Sequence, residues 1–242
     1  KVVSELKKIA EEYDKKELPI PAWAFGYLIG DGDTSGRGRV ACDSRDREFL
    51  LEKFASCGLS ENKNYKFDPI HFFLNNLKDA WKSMNLHEGK YIPDVYKLSS
   101  IEDRINCIIG AVDSDGHVDK NGNYRFTNTN EKIIAGISEI LHSLGIKTVI
   151  YKREGRIRAG NVSKTSFEIA FNSDIPLTSI PRKLEKARHS WNREQKVRYI
   201  KSVREIDSVP VKCLTVDSAS HLFLATKSFI PTHNSSEKPD RL

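Results

Sequence analysis

Two aspartates occupy matched positions in this 242-residue chain. Asp31 closes the apolar run AFGYLIGDG (Ala24–Gly32), and Asp115 closes IIGAVDSDG (Ile108–Gly116). Each run carries small residues four apart, Gly26 and Gly30 in the first, Gly110 and Ser114 in the second. On a helix such a pair shares one face, and small residues there let two backbones approach closely. An aspartate at a helix C-terminus faces carbonyls that already carry about half a negative charge. Two such aspartates, brought together by packed helices, form an electronegative spot that a divalent cation relieves. Mg²⁺ suits it, with Mn²⁺ as a substitute, because Mg²⁺ takes one or two carboxylates and completes its shell with water and phosphate oxygens. A lone Gly-Asp-Gly is an ordinary helix stop; the matched duplication is what points to chemistry.

A different constellation, His233-Asn234-Ser235, lies near the C-terminus. An asparagine side-chain nitrogen can attack its own carbonyl carbon, forming a succinimide and releasing the next residue. The departing amine needs a proton, which a neighbouring histidine supplies near neutral pH. The Ser235 hydroxyl can receive an acyl group.

The elements that must position these groups also repeat. Residues 1–18 read as a charged helix ended by Pro19 and Pro21. After the first apolar run come a strand (39–43), a helix (46–57) stopped by Gly58, a possible strand at 65–67 and a helix over 70–84. After the second run come strands at 117–119 and 124–129 around Asn121-Gly122, a hairpin signal. A helix (131–144) stopped by Gly145, paired strands at 147–154 and 165–171, and a basic helical segment (182–204) follow. The order helix–strands–helix–strands–helix therefore occurs twice, an internal duplication. Past Ile206, short β-like runs at 211–216 and 221–225 flank an Asp-Ser-Ala-Ser turn, and Ser228–Ile230 leads to the His-Asn-Ser site.

Charge and composition agree with a polyanion partner. The chain has 39 Lys/Arg against 33 Asp/Glu, and residues 147–204 alone hold fifteen basic and five acidic side chains. A basic block on a slightly acidic remainder suggests a nucleic-acid face. No apolar run approaches the roughly 18 residues of a membrane helix, so no membrane partner is expected. Cys42, Cys57, Cys107 and Cys213 show no Cys-x-x-Cys spacing, which argues against a zinc site or disulfide framework and fits a reducing cytoplasm. The chain opens on Lys1, as a fragment of a longer product would.

The two motif runs resemble the LAGLIDADG homing endonucleases, specifically the single-chain type embedded in inteins. Gly89-Lys90-Tyr91-Ile92-Pro93 and Ile180-Pro181-Arg182-Lys183-Leu184 resemble the family's lysine-bearing blocks. The resemblance spans roughly residues 20–200. It implies an α+β fold of two pseudo-symmetric αββαββα repeats (20–98 and 99–205), preceded by a helix and linker (1–19). Their β-saddles would lie on double-stranded DNA, and a monomer would cut one phosphodiester in each strand. Asp31 and Asp115 would hold the metal, Lys90 would support the first centre through charge or by polarising water, and Lys183 the second, with Arg182 or Lys186 as alternatives. DNA contacts are expected from Arg37, Arg39, Arg45, Arg47, Arg125, Lys152, Arg153, Arg156, Arg158 and Lys164.

Residues 206–234 resemble the C-terminal splicing blocks of inteins, a small β Hint-type segment. Leu214–Asp217 and His221–Ala225 match the penultimate block, and Phe229–Ser235 the last. The resemblance implies that His221 assists Asn234 cyclisation beside His233. Cys213 stands where many inteins have Asp, and with Thr232 it resembles the class whose first nucleophile is that cysteine. No nucleophilic Cys or Ser opens the chain and no Thr-x-x-His occurs in it, so splicing is expected only with an N-terminal intein fragment. Residues 235–242 would be host sequence, faintly similar to a phage terminase large subunit. Two other readings stay open: a LAGLIDADG module that binds nucleic acid without cutting, as a maturase or regulator, and a splicing partner with an idle endonuclease.

Overall fold

The computed structural model describes residues 13–155, 157–158, 161–162, 164–187, 202–210, 212, 216 and 222–233, the side chains of 157–158, 161–162 and 233 excepted. The chain divides into two compact units, Lys1–Glu194 and Gln195–Leu242. Of the helix expected over residues 1–18, the first twelve positions lie outside the described residues, and 13–18 carry no helix.

The larger unit is mixed α/β with antiparallel sheets. It is built around two buried helices, α1 (Ala22–Asp31) and α5 (Ile101–Ser114). Every residue of α1 from Ala22 to Ile29 is buried. The two helices cross where their side chains vanish. A Cβ on Gly26 would overlap the Cys107 carbonyl and crowd the Ala111 nitrogen; one on Gly110 would overlap the Trp23 carbonyl and crowd the Tyr27 nitrogen. Trp23 and Cys107, Tyr27 and Ala111, and Gly26 and Gly110 are all 84 residues apart, so the crossing is reciprocal about a local twofold axis. Ser100 caps the N-terminus of α5 by accepting from the Asp103 N–H, a side-chain cap that satisfies one of the four orphan donors there.

After α5, strand β3 (Gly116–Val118), β4 (Tyr124–Asn128), α6 (Glu131–Ser143), β5 (Thr148–Arg153), the small hairpin β6 (Ile157–Arg158) and β7 (Asn161–Val162), β8 (Ser166–Phe171) and α7 (Pro181–Ala187) follow. The four long strands form an antiparallel sheet in the order β3-β4-β8-β5. Tyr124, Phe126, Ile169 and Phe171 face the core, and the register places Arg125 opposite Ala170 on the other face.

The first repeat is shorter: β1 (Arg39–Ala41), α2 (Arg47–Ser56), β2 (His71–Phe73), α3 (Lys78–Ser83) and α4 (Asp94–Lys97). Its named sheet has two strands rather than four. Single antiparallel bridges, Gly32 to Val40 and Glu61 to Leu74, stand where β3 and β5 stand in the second repeat, so the strand order survives in reduced form. In both repeats a glycine follows the middle helix, Gly58 at φ 77° and Gly145 at φ 75°, the left-handed conformation that ends helices without a Cβ penalty.

Two sequence expectations fail here. The segment 70–84 is not one helix: residues 71–73 pair with β1, with Phe72 buried between outward His71 and Phe73, and helix begins only at Lys78. Period-two burial wins over the helical pattern, and Asn76 at φ 62° turns the chain between the two elements. The strand expected at 65–67 is loop, because the neighbouring backbone partners of β2 are supplied by Asn62 and Ser60.

In the second unit, β9 (Leu222–Ala225) and β10 (Ile230–His233) pair antiparallel across a Thr226–Phe229 turn. Among the described residues no helix is long and apolar enough to cross a membrane.

Candidate active site and nucleic-acid interface

Asp31 is the last residue of α1 and Asp115 the first after α5, so the helix crossing delivers both to one end of the seam. A Cβ placed on Gly30 would stand 3.1 Å from the Asp115 carboxylate, which fixes how near Asp115 comes to the end of α1. Burial raises the Asp31 pKa to about 6, the Asp115 charge adds to that, and Lys183, Lys90 and a Tyr27 hydrogen bond oppose it. Asp115 is raised by burial, opposed by Lys90, by a hydrogen bond from Asn128 and by Lys183.

Lys90 and Lys183 perform one task on the two helices. Lys90 Nζ donates to the carbonyls of Ile29 and Gly30, 3.0 Å each, and to that of Gly32. Lys183 Nζ donates to the carbonyls of Val112, Asp113 and Ser114 at 2.8, 2.9 and 3.3 Å. Each ammonium thus closes the C-terminal end of one motif helix, where cations are favoured. Burial pushes Lys90 down to about 8, against the pull of Asp115, Asp31 and Asp33, and it lowers Lys183 as well. The electrostatics cross over: Lys183 lowers Asp31 more than Lys90 does, and Lys90 lowers Asp115 more than Lys183 does. Of the three candidates Arg182, Lys183 and Lys186, Lys183 takes the position equivalent to Lys90. Arg182 is committed to Asp46 instead, with Nε and Nη2 bonds of 2.5–3.0 Å.

Three residues that the motif reading passed over hold this arrangement. Asp113 is 2% exposed and accepts five hydrogen bonds: from Trp23 Nε1 at 2.8 Å, Thr178 Oγ1 at 2.6 Å, Ser179 N at 2.8 Å, Ile180 N at 3.2 Å, and Ser179 Oγ. It ties the segment leading to Lys183 onto the last turn of α5. Asn128 donates to Asp115 at 3.3 Å, and Asn130, the α6 N-cap, donates to the Lys90 carbonyl at 2.7 Å. An Asn-x-Asn directly before a helix was a legible capping signal; its reach into the site was not. The counterpart of Asp113 in α1 is Ile29, so duplication gave no warning of it.

The candidate DNA-contacting residues scatter more than expected. Arg37 and Arg39 are exposed at the start of the first sheet, Arg39 3.1 Å from His71 Nε2. Arg45 lies in the turn before α2, paired twice to Asp43. Arg47 opens α2, pairs with Glu61 and lies 5.0 Å over the Phe67 ring. Neither is on a strand, and the strand expected over 39–43 ends at Ala41. On the second sheet Arg125 and Arg153 share the outward face, both 2.7 Å from Glu168. Lys152 takes the opposite face, since side chains alternate along a strand, and pairs with Glu154. Lys164 is exposed before β8. Arg156 and the side chain of Arg158 lie outside the described residues. So do Cys213, His221, Asn234, Ser235 and the His233 side chain; Thr232 lies in β10 opposite Phe223.

Among the described residues no three His, Cys, Asp or Glu side chains gather into a metal cage. The donor set on offer is Asp31 and Asp115. Asp31 is partly buried and Asp115 reaches the surface, and both carboxyls are pushed up first by desolvation, a charge that a hard cation keeping water and phosphate in its shell would offset.

Comparison with known proteins agrees with part of this picture. Residues 102–176, within the second repeat, match the model of the LAGLIDADG-like domain. Over 224 residues the chain is 26% identical to the replicative DNA helicase DnaB of Mycobacterium intracellulare, covering 91% of this chain and 36% of the helicase. A 36-residue stretch is 58% identical to DnaB of Mycobacterium leprae (strain TN), covering 15% of this chain and 6% of that protein. The chain thus spans little more than a third of the longer-matching relative. Among solved structures, variants of the homing endonuclease I-DmoI are 17% identical with a TM-score of 0.45, covering 71% of this chain and 97% of theirs. I-DmoI in complex with DNA and Ca is 15% identical with a TM-score of 0.43 over the same shares.

Proposed function

We propose that the chain is a site-specific DNA endonuclease of the LAGLIDADG type that makes a double-strand break with Mg²⁺ or Mn²⁺, acting as a monomer in the cytoplasm. The observation that carries this reading is the pair of lysine-capped helix ends with Asp31 and Asp115 beside them. Those two carboxylates would hold the metal, which when bound supplies a polarised phosphoryl oxygen and a more acidic water for in-line displacement. The protein's own groups do the rest. Lys90 and Lys183 each spend three N–H donors on carbonyls, so they act by fixed charge on the developing phosphorane rather than as proton carriers. Arg125 and Arg153, aligned by Glu168, and exposed Arg37 and Arg39 would position the backbone of the duplex.

The helicase relatives support placing this endonuclease in an intein. We read residues 206–234 as the C-terminal splicing segment, in which Asn234 cyclises with help from His221 and His233 once an N-terminal fragment is supplied. Cys213 with Thr232 serves as the first nucleophile, and Ser235 begins the host sequence. A replicative helicase suits the relatives better as host than the terminase suggested by residues 235–242.

The test is a duplex spanning the uninterrupted helicase junction, incubated with the protein and Mg²⁺ and resolved on a denaturing gel. Both strands are cut by the native chain and neither by Asp31→Asn or Asp115→Asn. Binding without cutting by the native chain favours the non-cleaving reading. Mixing with an N-terminal fragment tests splicing separately: Asn234→Ala blocks release, and normal splicing by Cys213→Ala overturns the cysteine-first assignment.

A further inference from the structure

The loop after α2 builds a feature that nuclease chemistry does not use. Tyr65 stacks on Phe73 with ring centroids 3.7 Å apart and planes 9° apart, yet Tyr65 is half exposed. Phe67 is 77% exposed beside them. These rings line a cleft of about 200 Å³ with Lys63, Lys66 and His71. The cleft adjoins the outward face of the first sheet: Phe73 pairs with Arg39 in register, and His71 lies within hydrogen-bond reach of Arg39. Of the acidic groups nearby, Glu61 is paired with Arg47, and Asp68 is hydrogen-bonded to His71 and outnumbered by the two lysines. Exposed Lys63 and Lys66 therefore leave the cleft with a positive rim.

Three exposed or half-exposed rings inside a positive rim match the chemistry of a single nucleic-acid strand, whose bases offer π-faces and whose phosphates offer charge. We infer that the Tyr65–Phe73 stack and Phe67 form a subsite for an unpaired nucleobase of a DNA strand, with Lys63 and Lys66 on its phosphates. It rests on the proposed DNA-binding reading of the same face and adds a place where the strand leaves the duplex stack. A helix-free, aromatic-lined loop suits this role, since stacking tolerates any base and needs no fixed register.

The test uses fluorescein-labelled (dT)16 with the full chain, by anisotropy across a salt series. The native chain binds it, and Phe67→Ala and Tyr65→Ala each weaken binding by at least about fivefold, the loss of roughly one stacked base. Tyr65→Phe keeps the affinity, because the ring rather than the hydroxyl stacks. Lys63→Ala with Lys66→Ala flattens the salt dependence by roughly two phosphate contacts. Phe67 is too exposed for its removal to unfold the protein, and unchanged circular dichroism confirms that. Failure of the native chain to bind (dT)16, as expected if a protein covers this face, overturns the inference, as does unchanged binding by both alanine variants. Duplex cutting is read on the same samples. Cutting without (dT)16 binding removes the subsite and leaves the nuclease, and (dT)16 binding without cutting does the reverse.

Discussion

Replacing Asp113 with Asn changes one atom and keeps the shape, so it isolates the buried network that sets Lys183. In the native chain Oδ1 accepts from Thr178 Oγ1, Ser179 N and Ile180 N, and Oδ2 accepts from Trp23 Nε1 and Ser179 Oγ. An asparagine can serve the first group with its oxygen. Its amide NH₂ then faces the Trp23 N–H, donor against donor, while the Ser179 hydroxyl can rotate to accept. One buried donor left unpaired costs about 1–3 kcal/mol, and turning charge-assisted bonds into neutral ones costs about 1 kcal/mol more for each of several bonds. With three such bonds on Oδ1 the expected loss is roughly 4–6 kcal/mol, or about 8–24 °C in melting temperature for a unit of this size. Adding Trp23→Phe removes the stranded donor and should recover part of the loss, a coupling read in a double-mutant cycle.

The same variant makes a second, independent forecast. The Thr178–Ile180 segment leads directly into the block that bears Lys183, whereas Lys90 is held from the other side by Asn130. Asp113→Asn should therefore slow the centre served by Lys183 more than the other, and nicked duplex should accumulate before linear product. A melting temperature within 1 °C of native would refute the stability argument. Equal slowing of both strands would refute the positioning argument even if the protein were destabilised.

Other perturbations bear on the seam. Asp31 near 6 and Lys90 near 8 bracket the working range, so single-turnover cutting should rise through about pH 6, hold, and fall above about pH 8; a profile still rising beyond pH 9 would overturn the fixed-charge role of Lys90. Because the Asp31 pKa in the folded state lies above its ordinary 3.8, the stability its proton lends is full below about 3.8 and lost as pH rises through about 6. Mg²⁺ should accordingly raise the melting temperature more at pH 7.5 than at pH 5, measured by calorimetry. Gly26→Ala or Gly110→Ala forces a methyl into the facing carbonyl and should cost at least about 2–3 kcal/mol in denaturant unfolding. Arg182→Ala strips the partner from Asp46, which is buried; the arginine is itself partly exposed, so roughly 1–2 kcal/mol is expected rather than the full cost of a broken buried pair.

What the sequence made legible follows from period and spacing. Small residues four apart in two copies are enough to imply the helix crossing, and Gly58 and Gly145 mark the ends of equivalent helices. Residues 70–84 misled because Ile70, Phe72 and Leu74 alternate only briefly before Leu77 and Trp81 add a helical spacing, and a three-residue strand leaves too short a trace to separate the two. Lys152 was misplaced for the opposite reason: strand alternation admits it or Arg153 to the outward face, never both. Asp113 was hidden because its partners Thr178, Ser179 and Ile180 lie more than sixty residues away, and only Ile180 falls in a motif block, where it bonds through its backbone N–H.

The two halves of the large unit share a strand order but not its strength, and the difference bears on how the duplex is held. The second repeat carries four hydrogen-bonded strands, a rigid plane on which Glu168 aligns Arg125 and Arg153. The first has two strands of three residues flanked by single bridges, and its outward basic residues stand on short segments and turns. A short sheet fixes few side chains in register, so specific base readout should concentrate on the second repeat. The first repeat then grips by phosphate contacts and stacking, which tolerate a strand that shifts. Changes in base pairs under the second repeat should therefore reduce cutting more than equal changes under the first. Scanning each half of the target duplex for single substitutions measures that ratio, and equal sensitivity in the two halves would show that sheet length does not govern readout.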